Sequence, residues 1–183
     1  MQNRYLNNNL CNIENSEERD AFLLSRKAEI RLNPTCCMDT LCTSNKDILN
    51  EACDLYQKSG EKYKNCQQWR KAGECYENCS VIKLNLGESP MNFYKESLYC
   101  YQKGNSEAGV KNIFFKMNDY LEKKGEIYEV GKNYEEMGIR YENEGQNKEA
   151  KYYYEEAIKY YEKDERYEHL KINLQNKLSK MNI

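Results

Sequence analysis

Apolar residues recur along this chain at the spacing of a buried helix face, and this repetition constrains the fold more than any other feature. Residues at positions i, i+3, i+4 and i+7 share one side of an α-helix and are buried together. Three consecutive segments show the pattern, and polar breaks that contain Gly125 and Gly145 separate them. Glycine is common just past a helix end, so each break, Lys123-Lys124-Gly125 and Asn143-Glu144-Gly145, predicts a tight turn. The three stripes are Val110, Ile113, Phe114, Met117, Tyr120 and Leu121; Ile127, Val130, Gly131, Tyr134, Met137, Gly138 and Tyr141; and Ala150, Tyr153, Tyr154, Ala157, Ile158 and Tyr161.

The same spacing predicts helices over most of the remaining chain. With two prolines and 32% charged residues, the composition also favours helices over sheets. No strand pattern is present in the sequence. The length suits one domain, so we predict a flexible segment over 1–15 and a single helical-repeat domain over 16–183. The further helices are predicted near 16–32, 47–64, 67–86, 91–103, 106–124 and 165–181.

The helix predicted over 67–86 has two apolar faces, which indicates that it lies between two neighbouring helices. One face consists of Trp69, Ala72, Gly73, Tyr76 and Ser80, and the other of Cys75, Cys79, Ile82 and Leu86. Stacked helical hairpins produce such burial on two sides. Ala72, Ala108 and Ala150 each lie near the start of a stripe, roughly forty residues apart, and the segment from Trp69 to Tyr76 fits the tetratricopeptide pattern. We therefore predict an all-α, tetratricopeptide-like, right-handed helical-hairpin solenoid of about eight antiparallel helices.

The residues that carry chemistry do not form a recognisable catalytic or metal-binding motif. The thiols of Cys36, Cys37 and Cys42, or of Cys66, Cys75 and Cys79, could be offered to zinc, but no Cys-x2-Cys pair exists. The single histidine, His169, is far from these cysteines in sequence, and a catalytic cysteine needs such a base. The glycines form no phosphate-binding loop, and acidic pairs such as Glu135-Glu136 fall on polar helix faces. We predict a protein that is not an enzyme and has no cofactor and no metal.

Charge and targeting signals favour a cytoplasmic protein that does not bind nucleic acid. The formal net charge is -2, and no patch interleaves arginines with aromatic residues. The segment from Met1 to Leu10 has no secretory pattern, and no apolar stretch is long enough to span a membrane. An odd number of cysteines, nine, fits reduced thiols in the cytosol.

The segment between the first two predicted helices contains apolar residues that belong to no helical stripe. Pro34 ends the first helix, and the residues that follow it are Cys36, Cys37, Met38, Leu41 and Cys42. They either fold back onto the core or touch a membrane, where Met38 and Leu41 would each contribute about 1.5 to 3 kcal/mol on burial. Their sum corresponds to roughly millimolar attachment, so such an anchor needs a second contact. Lipidation of Cys36 or Cys37 would strengthen it.

Four segments of the chain carry a resemblance to a known family. They are Glu51-Ala52-Cys53-Asp54-Leu55-Tyr56, Gln68-Trp69 with Ala72-Gly73, Glu107-Ala108 through Gly125, and Glu149-Ala150 through Tyr160-Tyr161. In order and spacing they resemble the N-terminal two-thirds of soluble NSF attachment proteins, and the α and β members more than the γ members. The resemblance covers about residues 17 to 178 and implies a twisted sheet of helical hairpins.

The resemblance also implies partners and site residues. Members of this family lay one face along the SNARE four-helix bundle and recruit the NSF-type AAA ATPase, which pulls the bundle apart. Lys132 and Lys171, and less closely Lys116, match lysines that face the acidic SNARE surface, whereas Glu126 takes a further basic position. The pairs Cys36-Cys37 and Leu41-Cys42 fall where the family contacts membrane, without the family's aromatic residues. A peripherally membrane-associated adaptor in vesicle trafficking is thus expected.

The resemblance also bears on the C-terminal end of the sequence. Family members continue into a further helical bundle that stimulates the ATPase, whereas this sequence ends at Ile183. We expect a fragment, a divergent gene product, or a SNARE binder that competes in disassembly without activating NSF.

The alternative is a generic tetratricopeptide scaffold that binds a peptide in its groove. Such scaffolds use a Lys-x3-Asn pair, and here Lys46 and Asn50 have that spacing at a helix start.

Overall fold

The computed structural model describes residues 16–33 and 45–181, and this part of the chain is all-α. It contains eight α-helices, one 3-10 turn at Glu165–Tyr167, and no strand, and short turns join the helices that follow residue 45. The segment 1–15 and the residues Cys36, Cys37, Met38, Leu41 and Cys42 lie outside the described residues. The helices are α1 (Ser16–Leu32), α2 (Asn45–Asn65), α3 (Trp69–Asn85), α4 (Met91–Lys103), α5 (Glu107–Lys123), α6 (Ile127–Asn143), α7 (Asn147–Tyr161) and α8 (Glu168–Leu178).

The predicted bounds hold for the first helices and differ at the last one. The structure reproduces those of α1 and α4, and α2, α3 and α5 differ from prediction by two residues or fewer at each end. The prediction of one helix over 165–181 is wrong at both ends, because α8 begins at Glu168 and ends at Leu178. The Asp164 carboxylate accepts a hydrogen bond from the Arg166 N–H at 2.9 Å, which caps a separate 3-10 turn before α8.

The chain divides into two compact units, Met1–Phe114 and Phe115–Ile183, which we describe separately. In the first unit α1 packs on α2, α2 on α3, and α3 on α4; in the second α6 packs on α7, and α7 on α8. Helices α2, α3 and α7 therefore each contact both the preceding and the following helix, as in stacked helical hairpins. The predicted all-α, tetratricopeptide-like helical-hairpin architecture is confirmed. The single domain over 16–183 stays a prediction.

Five of the turns in the described residues end a helix in the same left-handed way. In each turn one residue has a positive φ, and its N–H donates to the carbonyl three residues back while the next N–H donates five residues back. At Gly125 and Glu126 both N···O distances are 2.9 Å, and the breaks predicted around Gly125 and Gly145 are confirmed. This Schellman geometry satisfies carbonyls that a helix end leaves unpaired. The left-handed residues are Gln67, Gly87, Asn105, Gly125 and Gly145.

Tyrosine rings of one helix lie directly on glycines of the neighbouring helix. A Cβ at Gly138 of α6 would lie 2.6 Å from the Tyr154 ring of α7, which is closer than real Cβ contacts allow. The other contacts of this kind include Gly60 with Tyr76, Gly73 with Tyr101, and Gly131 with Tyr161. Glycine at these positions lets a large apolar ring enter the interface without separating the helix backbones.

The buried positions follow the predicted stripes. Most members of the three stripes are buried, while Tyr120, Ile127 and Ile158 are half-buried. Ala108, which the repeat pattern singled out, is exposed, and the first buried position of that helix is Val110.

Candidate functional site

The lysines expected to face a SNARE bundle lie on three helices, at positions that all belong to the second unit. Lys116 is on α5, Lys132 on α6, and Lys171 on α8. Helix α7 packs against both α6 and α8. The structure thus places all three residues in one unit, and they differ in how strongly neighbouring carboxylates engage them.

Lys132 lies on an exposed face of α6 and is weakly paired. Its side chain is 48% exposed, and its Nζ is 3.9 Å from the Glu136 Oε1 one turn further along the helix. An exposed ion pair at this distance contributes little free energy, so the ammonium can be shared with an acidic partner at small cost. Tyr128 and Ile139, both exposed, lie one turn before and two turns after Lys132 on this face. A partner would therefore meet a cation between two apolar side chains.

Lys171 and Lys116 are more engaged with their own surroundings. The Lys171 Nζ is 2.8 Å from the Glu168 Oε1, and this hydrogen bond raises the pKa of Lys171 above its ordinary value. Lys116 is half-buried in α5 and has an interaction of its own. Of the three lysines, Lys132 is the one most available to a partner.

Glu126 lies at the position where the family has a further basic residue, and its place at the start of a helix explains why an acidic side chain suits it. Glu126 is exposed and is the N-cap residue of α6. A negative charge at this end of a helix interacts favourably with the helix dipole, whereas a basic residue would not. Glu126 therefore suits the start of α6 and adds no positive charge to the lysine surface.

A polar network that the sequence analysis missed joins the last three helices. The Glu142 carboxylate of α6 accepts hydrogen bonds from the Tyr154 hydroxyl of α7 and the Lys177 ammonium of α8, both at 2.6 Å. Lys177 also donates to the Tyr154 hydroxyl at 2.7 Å. The hydrogen bonds from Lys177 and Tyr154 lower the pKa of Glu142, while burial and the neighbouring carboxylate raise the pKa of Tyr154 to about 12. The network therefore holds Glu142 charged and Tyr154 neutral at pH 7.

The sequence did contain a signal for this contact. In three places a glutamate lies four residues after a glycine that is covered by a tyrosine ring of the next helix. In each of them the glutamate accepts a hydrogen bond from the hydroxyl of the tyrosine that lies on the glycine. The donor–acceptor pairs are Tyr101 with Glu77 at 2.8 Å, Tyr161 with Glu135 at 2.8 Å, and Tyr154 with Glu142 at 2.6 Å. The Gly-x3-Glu spacing thus places an acceptor one helical turn beyond the glycine.

Burial keeps two of the cysteines within the described residues, Cys75 and Cys100, protonated and unreactive. All five, Cys53, Cys66, Cys75, Cys79 and Cys100, are free thiols, and all but Cys66 are buried. Burial raises the pKa of Cys75 and of Cys100 to about 11, so these thiols stay protonated and are poor nucleophiles at neutral pH. Within 16–33 and 45–181, no group of three or more His, Cys, Asp or Glu residues could hold a metal ion.

A second surface feature is a groove of about 510 Å³ in the first unit, which we call the α1–α3 groove. Helices α1 and α3 form its walls and α2 forms its floor, where Tyr56 and Tyr63 lie. The walls contribute Phe22 of α1 and Glu74 of α3 among other residues. The pair Lys46 and Asn50 lies in the first two turns of α2 and does not line this groove.

Comparison with known proteins classifies the chain. The model of the family described as "Soluble NSF attachment protein, SNAP" matches residues 19–183, which is all but the first 18 residues. No curated protein matches the chain at a significant level. The matched region includes the three lysines and the α1–α3 groove. In the described part of the chain, each helix is too short or too polar to pass through a bilayer.

Proposed function

The chain belongs to the soluble NSF attachment protein family, and from this membership we propose that it is an adaptor that binds SNARE complexes and links them to an NSF-type ATPase in vesicle fusion. The observation that carries the proposal is the family match over 19–183, together with the stacked helical hairpins. In this proposal the chain performs no catalytic step itself. It supplies a surface that holds the SNARE bundle while the ATPase acts on it.

We place the principal SNARE contact at Lys132, with Lys171 and Lys116 beside it. A SNARE-type four-helix bundle has an acidic surface, and exposed lysines attract it through charge pairs worth about 0.2–1 kcal/mol each. Several such pairs are needed for useful affinity, and binding then weakens as salt rises. The loose Lys132–Glu136 pair supports this assignment, because a partner carboxylate can displace Glu136 easily.

Peripheral membrane contact belongs to the same proposal. The candidate residues are Cys36, Cys37, Met38, Leu41 and Cys42. Because their apolar burial gives only roughly millimolar attachment, membrane contact would add to SNARE binding rather than replace it. Liposomes that carry SNARE bundles should therefore retain the chain better than protein-free liposomes.

Charge variants at the lysines test the SNARE contact. The double variant Lys132→Glu with Lys171→Glu is expected to weaken binding to an immobilised SNARE bundle about tenfold at low salt, and less at high salt. Glu136→Gln removes the carboxylate that competes for Lys132, so it is expected to strengthen binding. Fluorescence anisotropy with a labelled bundle measures both changes.

A matched control separates this contact from a general effect of net charge. Lys159→Glu changes the same charge on the exposed side of α7, where Lys159 pairs with Glu156 at 2.5 Å. It should leave SNARE affinity nearly unchanged. Equal losses in Lys159→Glu and Lys132→Glu, or indifference of binding to all these variants, would count against the proposed surface.

A further inference from the structure

Two thiols meet where helices α2 and α3 pack together. Cys53 of α2 and Cys79 of α3 are 26 residues apart in the chain, and both are buried, with exposures of 2% and 0%. The Cys79 Sγ donates a hydrogen bond to the Cys53 carbonyl oxygen at 3.4 Å, and the two thiols also share a hydrogen bond with each other. The sulfur of Cys79 therefore lies against both the backbone and the side chain of Cys53.

This contact provides the closeness that a disulfide requires. A disulfide joins cysteines whose Cβ atoms are about 3.8 Å apart, so two cysteines on different helices must already meet at the interface. Cys75, one turn before Cys79, has a different partner, because its Sγ donates to the Ser59 Oγ at 3.4 Å. Joining Cys53 to Cys79 therefore requires rotation of side chains rather than a new arrangement of helices.

The two thiols differ in acidity. The hydrogen bond from Cys79 lowers the pKa of Cys53, and the Lys83 ammonium, one turn beyond Cys79 on α3, lowers it further. Burial opposes this change, as do the carboxylates of Asp54 and Glu88, but the pKa of Cys53 stays below its ordinary value. The same hydrogen bond, together with burial, raises the pKa of Cys79. Cys53 is therefore the thiol that ionises first, and a thiolate is the form that reacts with oxidants.

Charged side chains that reach the solvent lie close to this pair. Asp54 directly follows Cys53 and is exposed. Lys83 pairs with Glu88 at 2.8 Å, and their side chains are 22% and 43% exposed. A small oxidant can therefore reach Cys53 through local opening at this edge of the first unit, and burial slows the reaction without preventing it.

We propose that Cys53 and Cys79 form a redox modification site, at which a hydroperoxide such as hydrogen peroxide converts the two thiols into a disulfide that joins α2 to α3. The Cys53 thiolate attacks one peroxide oxygen, and the O–O bond breaks to give a sulfenic acid and hydroxide. The Cys79 sulfur then attacks the sulfenic sulfur, and the S–O bond breaks. The leaving hydroxide takes the Cys79 proton as water, so two thiols are oxidised while one peroxide is reduced to two waters.

Peptide mapping of the whole chain tests the proposal. The reduced chain is treated with hydrogen peroxide at neutral pH, its remaining thiols are alkylated, and a tryptic digest is analysed by mass spectrometry. Peptides 47–58 and 72–83 carry Cys53 and Cys79. They are expected as one linked species that lacks two hydrogens and that dithiothreitol separates. The oxidised chain should also unfold at a higher urea concentration, because the link restricts the unfolded chain.

Two variants assign the linked sulfur on α3, because peptide 72–83 also contains Cys75. Cys79→Ala should abolish the link to Cys53. Cys75→Ala is the matched control, since it removes another buried thiol of α3, and it should leave the link intact. Fragmentation of the linked peptides from the unmodified chain locates the same sulfur even where a variant does not fold.

Several results would overturn the proposed site. Recovery of Cys53 and Cys79 as alkylated thiols after peroxide treatment is one, and a link from Cys53 to any other cysteine is another. A link that forms only after urea has unfolded the chain would equally contradict it. The reaction needs neither SNARE bundle nor ATPase, so its outcome is independent of the proposed adaptor function.

Discussion

At Gly138 the missing side chain leaves the space that the Tyr154 ring fills. The same arrangement occurs at Gly73 with Tyr101 and, in the second unit, at Gly131. Each ring also anchors its hydroxyl on a glutamate, so one tyrosine provides both apolar packing and a directed hydrogen bond. These contacts explain why a chain with 17 tyrosines and few leucine-rich stripes can build a helical interface.

Replacing Gly138 with alanine tests the contact at the level of one methyl group. An added Cβ would lie 2.6 Å from the Tyr154 ring, so Gly138→Ala is expected to destabilise the protein by about 1–3 kcal/mol in urea unfolding. Inside a helix alanine is more stabilising than glycine by roughly 0.5–1 kcal/mol. Gly138→Ala would therefore stabilise the protein if the Tyr154 ring did not lie there. A stabilised Gly138→Ala variant would therefore contradict the packing. In a Tyr154→Leu background the penalty should shrink.

The Glu142 network predicts a pH dependence of stability. Hydrogen bonds from Lys177 and Tyr154 lower the pKa of Glu142 below its ordinary value of 4.5. A carboxylate with a lowered folded-state pKa contributes stability above its unfolded-state pKa, and this contribution is lost as pH falls through the folded-state pKa. The free energy of unfolding should therefore fall below about pH 4.5. Glu142→Gln should remove part of that acid-dependent loss.

The contribution of Glu142 to stability is tested by comparing unfolding free energies of two proteins over the same range of pH. Urea unfolding of the original chain and of Glu142→Gln, measured from neutral to acid pH, gives the comparison. If both proteins lose stability in parallel, Glu142 does not contribute through its charge. Lys95, which is exposed, offers a neutral reference as Lys95→Gln.

Residue-level contacts were predicted only in part. The segment from Trp69 to Tyr76, which fits the tetratricopeptide pattern, contains a glycine and a tyrosine, and the pattern does not say which residue each of them contacts. In the structure Tyr76 lies on Gly60 of the preceding helix, while Gly73 receives Tyr101 from the following helix. Spacing within one helix identifies small and large residues, but the partner of each depends on how the next helix is aligned.

At the scale of helices, the left-handed turns determine where one helix ends and the next begins. In three turns glycine takes the left-handed position; the breaks at Gly125 and Gly145 were predicted from the sequence, and the one at Gly87 was not. Gln67 and Asn105 take the same position with φ of 58° and 49°, and no sequence rule singled them out because side chains rarely adopt this geometry. The hydrogen bonds of the turn hold them there.

The strained turn at Gln67 gives a second stability prediction. A side chain in the left-handed region costs roughly 1–2 kcal/mol, and glycine avoids this cost at a smaller entropic penalty. Gln67→Gly is therefore expected to stabilise the protein by about 0.5–1 kcal/mol in urea or thermal unfolding. The neighbour Gln68 has a φ of -81°, so Gln68→Gly should bring no gain. Equal effects of the two substitutions would contradict the assigned turn geometry.

At the scale of the whole molecule, the helical architecture followed from the sequence while the surface features did not. Apolar periodicity marks each helix because burial imposes it directly. The lysines came from resemblance alone, and sequence could not show that Glu168 engages Lys171 closely while Glu136 leaves Lys132 loosely paired. The α1–α3 groove needs residues from three helices, so no local pattern could reveal it.

Ordered recruitment on an immobilised SNARE bundle tests the adaptor role most directly. NSF, this chain and both together are passed over the bundle, with and without liposomes, and the retained proteins are quantified. The proposed function predicts that the chain is retained alone and that NSF is retained only when the chain is present. Retention of neither the chain nor NSF on the assembled bundle would contradict it.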